Sequence, residues 1–190
     1  MKCDGCVEDY SADIFDTDEV HKIAILDLRL LNLDRNEGNI LVQTVEDSGR
    51  DDDLTIDYDP SSNPNIKRKL IPIDHGMTIP DSLEVCSFDL VWLGWTHADK
   101  PFSHQSLDFI RDIDVMKDIK LLEDNFKFRP ICLRNMRISN ILLKKAAEAG
   151  LTLANIGQIL CRPDDDFDQP SLLEKMVQKA RTCADMMAQV

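Results

Sequence analysis

Apolar positions along this chain fall into blocks of different period, and each block predicts an element. Asp16-Thr17-Asp18 can cap a helix and favour its positive end. The run that follows, Val20, Ile23, Ala24, Leu26, Leu28, Leu30 and Leu31, predicts a buried helix over residues 18–31. Residues 40–45 and 70–73 are apolar and β-branched and predict an antiparallel strand pair. After Pro80 the pattern turns helical. Phe88, Leu90, Val91, Trp92, Leu93 and Trp95 predict a helix or turn packed into the core, and Ser103 caps a helix carrying Leu107, Phe109, Ile110 and Ile113. Further helices are predicted from Val115 to Leu122, over residues 131–149 with Gly150 as the stop, from Thr152 to Leu160, and after the capping box Ser171-Leu172-Leu173-Glu174. No internal repeat is present. The sum is an α+β chain, mostly α-helical, with one small β-hairpin.

Two stretches break the pattern. The first dozen or so residues are polar, acidic and aperiodic, so residues 1–17 are expected to be a loose acidic lead-in to an ordered unit over 18–190. Residues 46–69 contain Asp51-Asp52-Asp53, Gly49, Pro60 and Pro64. They read as an exposed acidic insertion inside the hairpin, without the ligand spacing of a calcium loop.

Composition narrows the function classes. An apolar fraction of 43% over 190 residues suffices for a core. A net charge of −13 argues against a broad nucleic-acid surface, which needs clustered Lys and Arg. Lys67-Arg68-Lys69 and Lys144-Lys145 are compact basic clusters that suit either solvent or an anionic headgroup. The six cysteines show no regular framework and read as reduced cytosolic thiols; Cys3-x-x-Cys6 lacks the second pair that a zinc site needs. No stretch reaches the roughly 20 apolar residues of a membrane span, so membrane contact is expected to be peripheral and the location cytoplasmic.

The candidate chemistry lies in two short segments, Asp34-Arg35-Asn36-Glu37-Gly38-Asn39 and Ile71-Pro72-Ile73-Asp74-His75-Gly76. The first offers a carboxylate and, five positions on, an amide oxygen at the mouth of a strand. The second puts another carboxylate at a strand end. Such a set can hold a nucleotide-bound magnesium and orient a hydroxyl. Read singly, Asp34 also suits a loop turn after a helix, Ile73 a strand core position, Arg35 a structural ion pair and His75 a packing and hydrogen-bonding role.

Together with Glu19-Val20-His21-Lys22-Ile23, Leu26-Asp27-Leu28-Arg29-Leu30, Lys100-Pro101-Phe102-Ser103, Arg137-Ile138-Ser139 and Gly150-Leu151-Thr152, these segments resemble the phosphatidylinositol 3- and 4-kinase superfamily. The likeness is closest to the plant type II, gamma-class phosphatidylinositol 4-kinases, over about residues 14–180. The resemblance implies the C-terminal lobe of a kinase-like fold, with the hairpin at the catalytic site. It further implies ATP and Mg2+ as cofactors, phosphatidylinositol as substrate, Asp34 as the catalytic aspartate, Asn39 and Asp74 as metal ligands, and Ile73 beneath the adenine. Asn36 stands where other members often have His. The superfamily's phosphate-covering loop and nucleotide-contacting lysine have no counterpart in this sequence: no Gly-x-Gly-x-x-Gly occurs, and Lys2 and Lys22 are not stand-ins. The 190 residues alone are therefore expected to bind Mg-ATP weakly and turn over little. The alternative is a non-catalytic lobe serving as a protein-interaction module.

Overall fold

The computed structural model describes residues 3–46 and 66–188. Its architecture is the α+β arrangement expected. β1 (Gly5–Cys6), β2 (Ile40–Glu46) and β3 (Ile66–Pro72) form an antiparallel sheet in the order β1-β2-β3. Of the helices α1 (Thr17–Leu30), α2 (His104–Asp112), α3 (Val115–Asn125), α4 (Pro130–Glu148), α5 (Leu153–Leu160) and α6 (Leu172–Ala188), α1 packs on β3; α2, α3 and α5 pack on α4; and α6 packs on α5. Short 3-10 turns at Ser87–Asp89, Val91–Gly94 and Thr96–Asp99 cover the segment before α2.

α1 is the central element. Asp16 caps it by accepting from the Asp18 amide at 2.7 Å, and Val20, Ile23, Ala24, Ile25 and Leu28 are buried against the remaining elements. Each large aliphatic side chain so buried stabilises the fold by about 1.5–3 kcal/mol. The last four carbonyls of a helix have no partner within it. Here each is met: Asp27 O by the Asn32 amide at 2.9 Å, Leu28 O by Ser139 Oγ at 2.5 Å, Arg29 O by Asn140 Nδ2 at 2.7 Å and Leu30 O by the Ile79 amide at 2.8 Å. α4 thus fastens the end of α1 from which the Asp34 loop departs. Leu31 closes the helix in the left-handed region at φ 51°, a conformation that costs a branched residue about 1–2 kcal/mol and that its burial in the core offsets.

The structure corrects two boundaries. Residues 3–16 are not a loose lead-in. β1 pairs with β2, the Asp4 amide donates to Val42 O at 2.8 Å, and Val7 and Phe15 are buried in the main core. A two-residue strand and 3-10 turns have no repeat period, so their apolar anchors escape a periodicity reading. The acidic insertion is also shorter than 46–69. β3 begins at Ile66, where its backbone continues the ladder with β2 through the registers Lys67–Val45, Arg68–Thr44 and Lys69–Gln43, so the Lys67-Arg68-Lys69 cluster is strand. Residues 47–65, which include Asp51-Asp52-Asp53, lie outside the described residues. Two further expectations shift with packing. Trp92 is buried, but Phe88 is exposed and packs edge-on against Phe167. Lys144 donates to Arg111 O and Ile113 O at the end of α2, and Lys145 pairs with Glu148.

Two histidines tie α1 to its neighbours. His21 Nε2 donates to His97 O at 2.9 Å, and His97 Nε2 donates to Phe15 O at 3.0 Å. Burial pushes the His21 pKa below its ordinary value, against smaller raising effects of the His97 bond and Asp18. A histidine whose folded pKa is lowered binds its proton more tightly when unfolded, so it leaves stability intact above about pH 6.5 and subtracts from it as pH falls below that value. Replacing His21 by Gln should therefore flatten the loss of urea midpoint between pH 7 and pH 5. An unchanged slope would remove His21 from the acid response.

Candidate catalytic site

The site assembles around a buried ion pair. Asp27, 2% exposed, lies in the last turn of α1, and Arg35, 0% exposed, follows Asp34 in the loop beyond it. Asp27 accepts from Arg35 Nε at 3.1 Å on either oxygen, from Arg35 Nη2 at 2.9 Å, from Asn32 Nδ2 at 2.9 Å and from Trp92 Nε1 at 3.1 Å. A buried charge is tolerated only when paired and hydrogen-bonded, and here both carboxylate oxygens are served. The remaining guanidinium donors reach outward to the two candidate loops. Arg35 Nη1 donates to Asn39 O at 2.8 Å and Ile73 O at 2.7 Å, and Nη2 lies 3.2 Å from His75 Nδ1. The Ile73 amide donates to Asn39 O at 3.0 Å, so one side chain clamps the Asn39 loop to the strand end that carries Asp74.

Within the clamp, Asp34 accepts from Asn36 Nδ2 at 2.9 Å on Oδ1. Asn39 Nδ2 donates to Asp34 O at 2.9 Å and lies 3.4 Å from Asp34 Oδ2. This fixes the orientation of the Asn39 amide and leaves its Oδ1 without a donor among the described residues. Asp74 sits at φ 49°, a left-handed conformation that Asp tolerates, supported by the Gly76 amide donating to its Oδ1 at 3.2 Å. Its other oxygen meets no donor among the described residues. Asp34 and Asn39 are half-buried, Asp74 is exposed, and the exposed Ile73 side chain, at 36%, faces away from the core. An amide oxygen and a carboxylate oxygen, both hard and unengaged, suit Mg2+.

Arg35 and His75 take the structural and hydrogen-bonding positions that the residue types suggest. Asp27, Asn32, Trp92 and Asp89 form the support that sequence reasoning missed as such. Asp27 had a signal, a carboxylate within the apolar run Ile25-Leu26-Asp27-Leu28, whereas Asp89 had none. The Arg35 amide donates to Asp89 O at 2.7 Å and the Val91 amide to Arg35 O at 2.9 Å, which seats the 87–91 turn beside Asp34.

Burial raises the Asp89 pKa; the Cys86 amide, donating to Oδ2 at 2.8 Å, works against this, and the nearby Asp34 charge adds to it. A raised carboxyl pKa contributes stability that is complete below the unfolded value near 4 and is lost as pH rises through the folded value. Asp89→Asn is expected to remove that loss, so that its urea midpoint relative to the unaltered chain is higher at pH 7 than at pH 4. Equal differences at the two pH values would show that the Asp89 charge is not opposed by the fold.

The family described as phosphatidylinositol 3- and 4-kinase matches residues 1–156. This chain belongs to that family. The match takes in the segment before α1, in keeping with its packing onto the sheet. Among curated relatives, phosphatidylinositol 4-kinase gamma 4 of Arabidopsis thaliana is 41% identical over 94% of this chain and 28% of its own length. Phosphatidylinositol 4-kinase gamma 4 of Oryza sativa subsp. japonica is 42% identical over 93% and 27%. Phosphatidylinositol 4-kinase gamma 3 of Arabidopsis thaliana is 38% identical over 93% and 27%. The chain thus spans little more than a quarter of the length of these relatives. Within the kinase family the α+β unit described here corresponds to the catalytic lobe, with its hairpin at the site.

Proposed function

We propose that this chain supplies the catalytic loop and metal loop of a phosphatidylinositol 4-kinase that transfers the ATP γ-phosphate to the 4-hydroxyl of phosphatidylinositol. The observation that carries the reading is the Arg35 clamp, which brings the Asn39 and Asp74 loops into one rigid frame beside Asp34. Asp34 orients the inositol hydroxyl and takes its proton as that oxygen bonds to the γ-phosphorus and the bond to ADP breaks. Asn36 holds the Asp34 carboxylate from the solvent side. Asn39 Oδ1 and the Asp74 carboxylate would hold Mg2+, which offsets the charge of the transferred phosphoryl group. Ile73 offers an apolar surface of the kind that an adenine ring covers.

No described helix is long and apolar enough to cross a membrane. A cytoplasmic location with contact at the membrane periphery is part of this proposal, because the proposed substrate is a lipid headgroup reached from the aqueous side. The deciding experiment is phosphate transfer to phosphatidylinositol in mixed micelles by this chain, alone and combined with the N-terminal lobe of a related kinase, beside a generic protein substrate. Lipid product that depends on Asp34 supports the reading. A folded protein without transfer to either substrate would favour the non-catalytic interaction module.

A further inference from the structure

We propose that the groove between residues 81–84, the start of α4 and the outer face of α6 binds phosphate groups. The groove has a volume of about 670 Å3, and no residue of the 34–39 or 73–76 loops lines it. Four cations face it: Arg134 from α4, and Lys175, Lys179 and Arg181 from α6.

The acids in the same walls are already engaged. Asp81 pairs with Arg129 at 2.6 Å, while Glu174 at 2.7 Å and Glu84 at 3.1 Å share Arg162. Arg162 donates to both Glu174 oxygens, and the Ser171 amide donates to Glu174 at 2.9 Å, so this carboxylate cannot swing to α6's own lysines. None of the four groove cations forms an ion pair among the described residues. Arg134 Nη2 donates to Asn135 Oδ1 at 3.1 Å, and its Nε is buried without an acceptor.

This distribution is costly for the chain alone. Lys175 and Lys179 are four residues apart on one helix, where like charges repel, and Arg181 adds a third cation on the same exposed stretch. In a chain of net charge −13, carboxylates are abundant, yet none among the described residues pairs with these groups. A phosphate in the groove supplies what is missing. The planar guanidinium of Arg134 matches phosphate oxygens in pairs, and the flexible ammonium groups of Lys175 and Lys179 add charge from the facing wall. The groove is also joined to the metal loop: Asn135 Nδ2 donates to Pro80 O at 3.3 Å, and the next residue, Asp81, forms part of the rim. A ligand held here braces the segment that leads from Asp74 into the 87–91 turn.

The phosphate can be free or the headgroup of an anionic lipid, and the test separates these sources. Amide spectra of the chain would be followed during titration with inorganic phosphate. In parallel, flotation would be measured with phosphatidylcholine vesicles with and without about 20% phosphatidylserine, an anionic surface that attracts Lys and Arg clusters. The expected result is saturable shifts at residues 134, 175 and 179, anion-dependent flotation, or both. The response should weaken about tenfold or more in Lys175→Gln/Lys179→Gln and fall with added salt. Both lysines are exposed, so this variant keeps its fold, and Arg134→Gln tests the other wall. A phosphate response alone assigns a free ligand, and flotation alone assigns a lipid surface. No response in either arm, or one that both variants leave unchanged, overturns the proposal. Kinase activity is not read in either arm, so a failure here is separate from a failure of the transfer reaction.

Discussion

Asp34→Ala is expected to lower phosphatidylinositol phosphorylation by this chain, combined with the N-terminal lobe of a related kinase, by a factor of about 10²–10⁴, the usual contribution of a positioned general base. The loss should appear in kcat, since the proposed role of Asp34 is on the attacking hydroxyl rather than on the nucleotide. Among the described residues its carboxylate accepts from Asn36 Nδ2 and lies 3.4 Å from Asn39 Nδ2. Asn36 is exposed and Asn39 half-buried, so water can replace both bonds and the unfolding free energy from urea titration should stay within about 0.5 kcal/mol of the unaltered protein. That separation of activity from stability is the informative outcome. Asp34→Asn, which keeps the shape but cannot take the proton, should be impaired to the same extent. If either variant retains near-full turnover, Asp34 is not the base. If the loss tracks a fall in stability, Asp34 is a turn residue and its catalytic assignment goes with it.

Arg35→Met is expected to cost about 3–5 kcal/mol of folding stability, because it leaves the Asp27 carboxylate buried with Asn32 and Trp92 as its remaining side-chain donors among the described residues. The change removes more than an ion pair. It also releases Asn39 O and Ile73 O, the acceptors through which one guanidinium holds the two site loops together. Arg35→Lys keeps the charge, but an ammonium lacks the fork that reaches Asp27 on one side and both carbonyls on the other. It should therefore recover part of the stability while leaving the loops loose. Asp27→Leu/Arg35→Met removes both charges and should regain much of the lost stability, since an apolar pair of similar volume avoids the desolvation of two ions. Urea unfolding of the three variants checks this order, and a Met variant within 1 kcal/mol of the unaltered chain would show that the pair is not the anchor described.

The parts of the fold that follow a repeat period were legible in the chain. The helix predicted over 18–31 is α1 at Thr17–Leu30, and the long amphipathic stretch from 131 is α4 at Pro130–Glu148. The Ser103, Thr152 and Ser171 caps form as their residue types require, each hydroxyl accepting an amide from three residues on. The parts without a period were not legible. Val7 and Phe15 are buried through a two-residue strand and isolated turns, and β3 starts before its apolar run because its backbone pairing with β2 does not depend on apolar side chains.

The candidate site divides in the same way. Asp34, Asn39 and Asp74 stood out because their chemical types recur at fixed offsets from strand and loop signals, which is information carried along the chain. The groups that hold them did not stand out. Asp27 precedes Arg35 by eight residues, Ile73 follows it by 38, and Trp92 reaches Asp27 across 65. A hydrogen bond is directional and acts over about 3 Å, so which of many Asp, Arg and Trp side chains meet is settled only when packing brings their backbones together. The sequence by itself determined the helices, the hairpin, the family likeness and the reactive residue types. The tertiary structure decided the anchored first segment, the buried Asp27–Arg35 pair and the clamp that gives the two loops one geometry, because these depend on distances that no local pattern encodes.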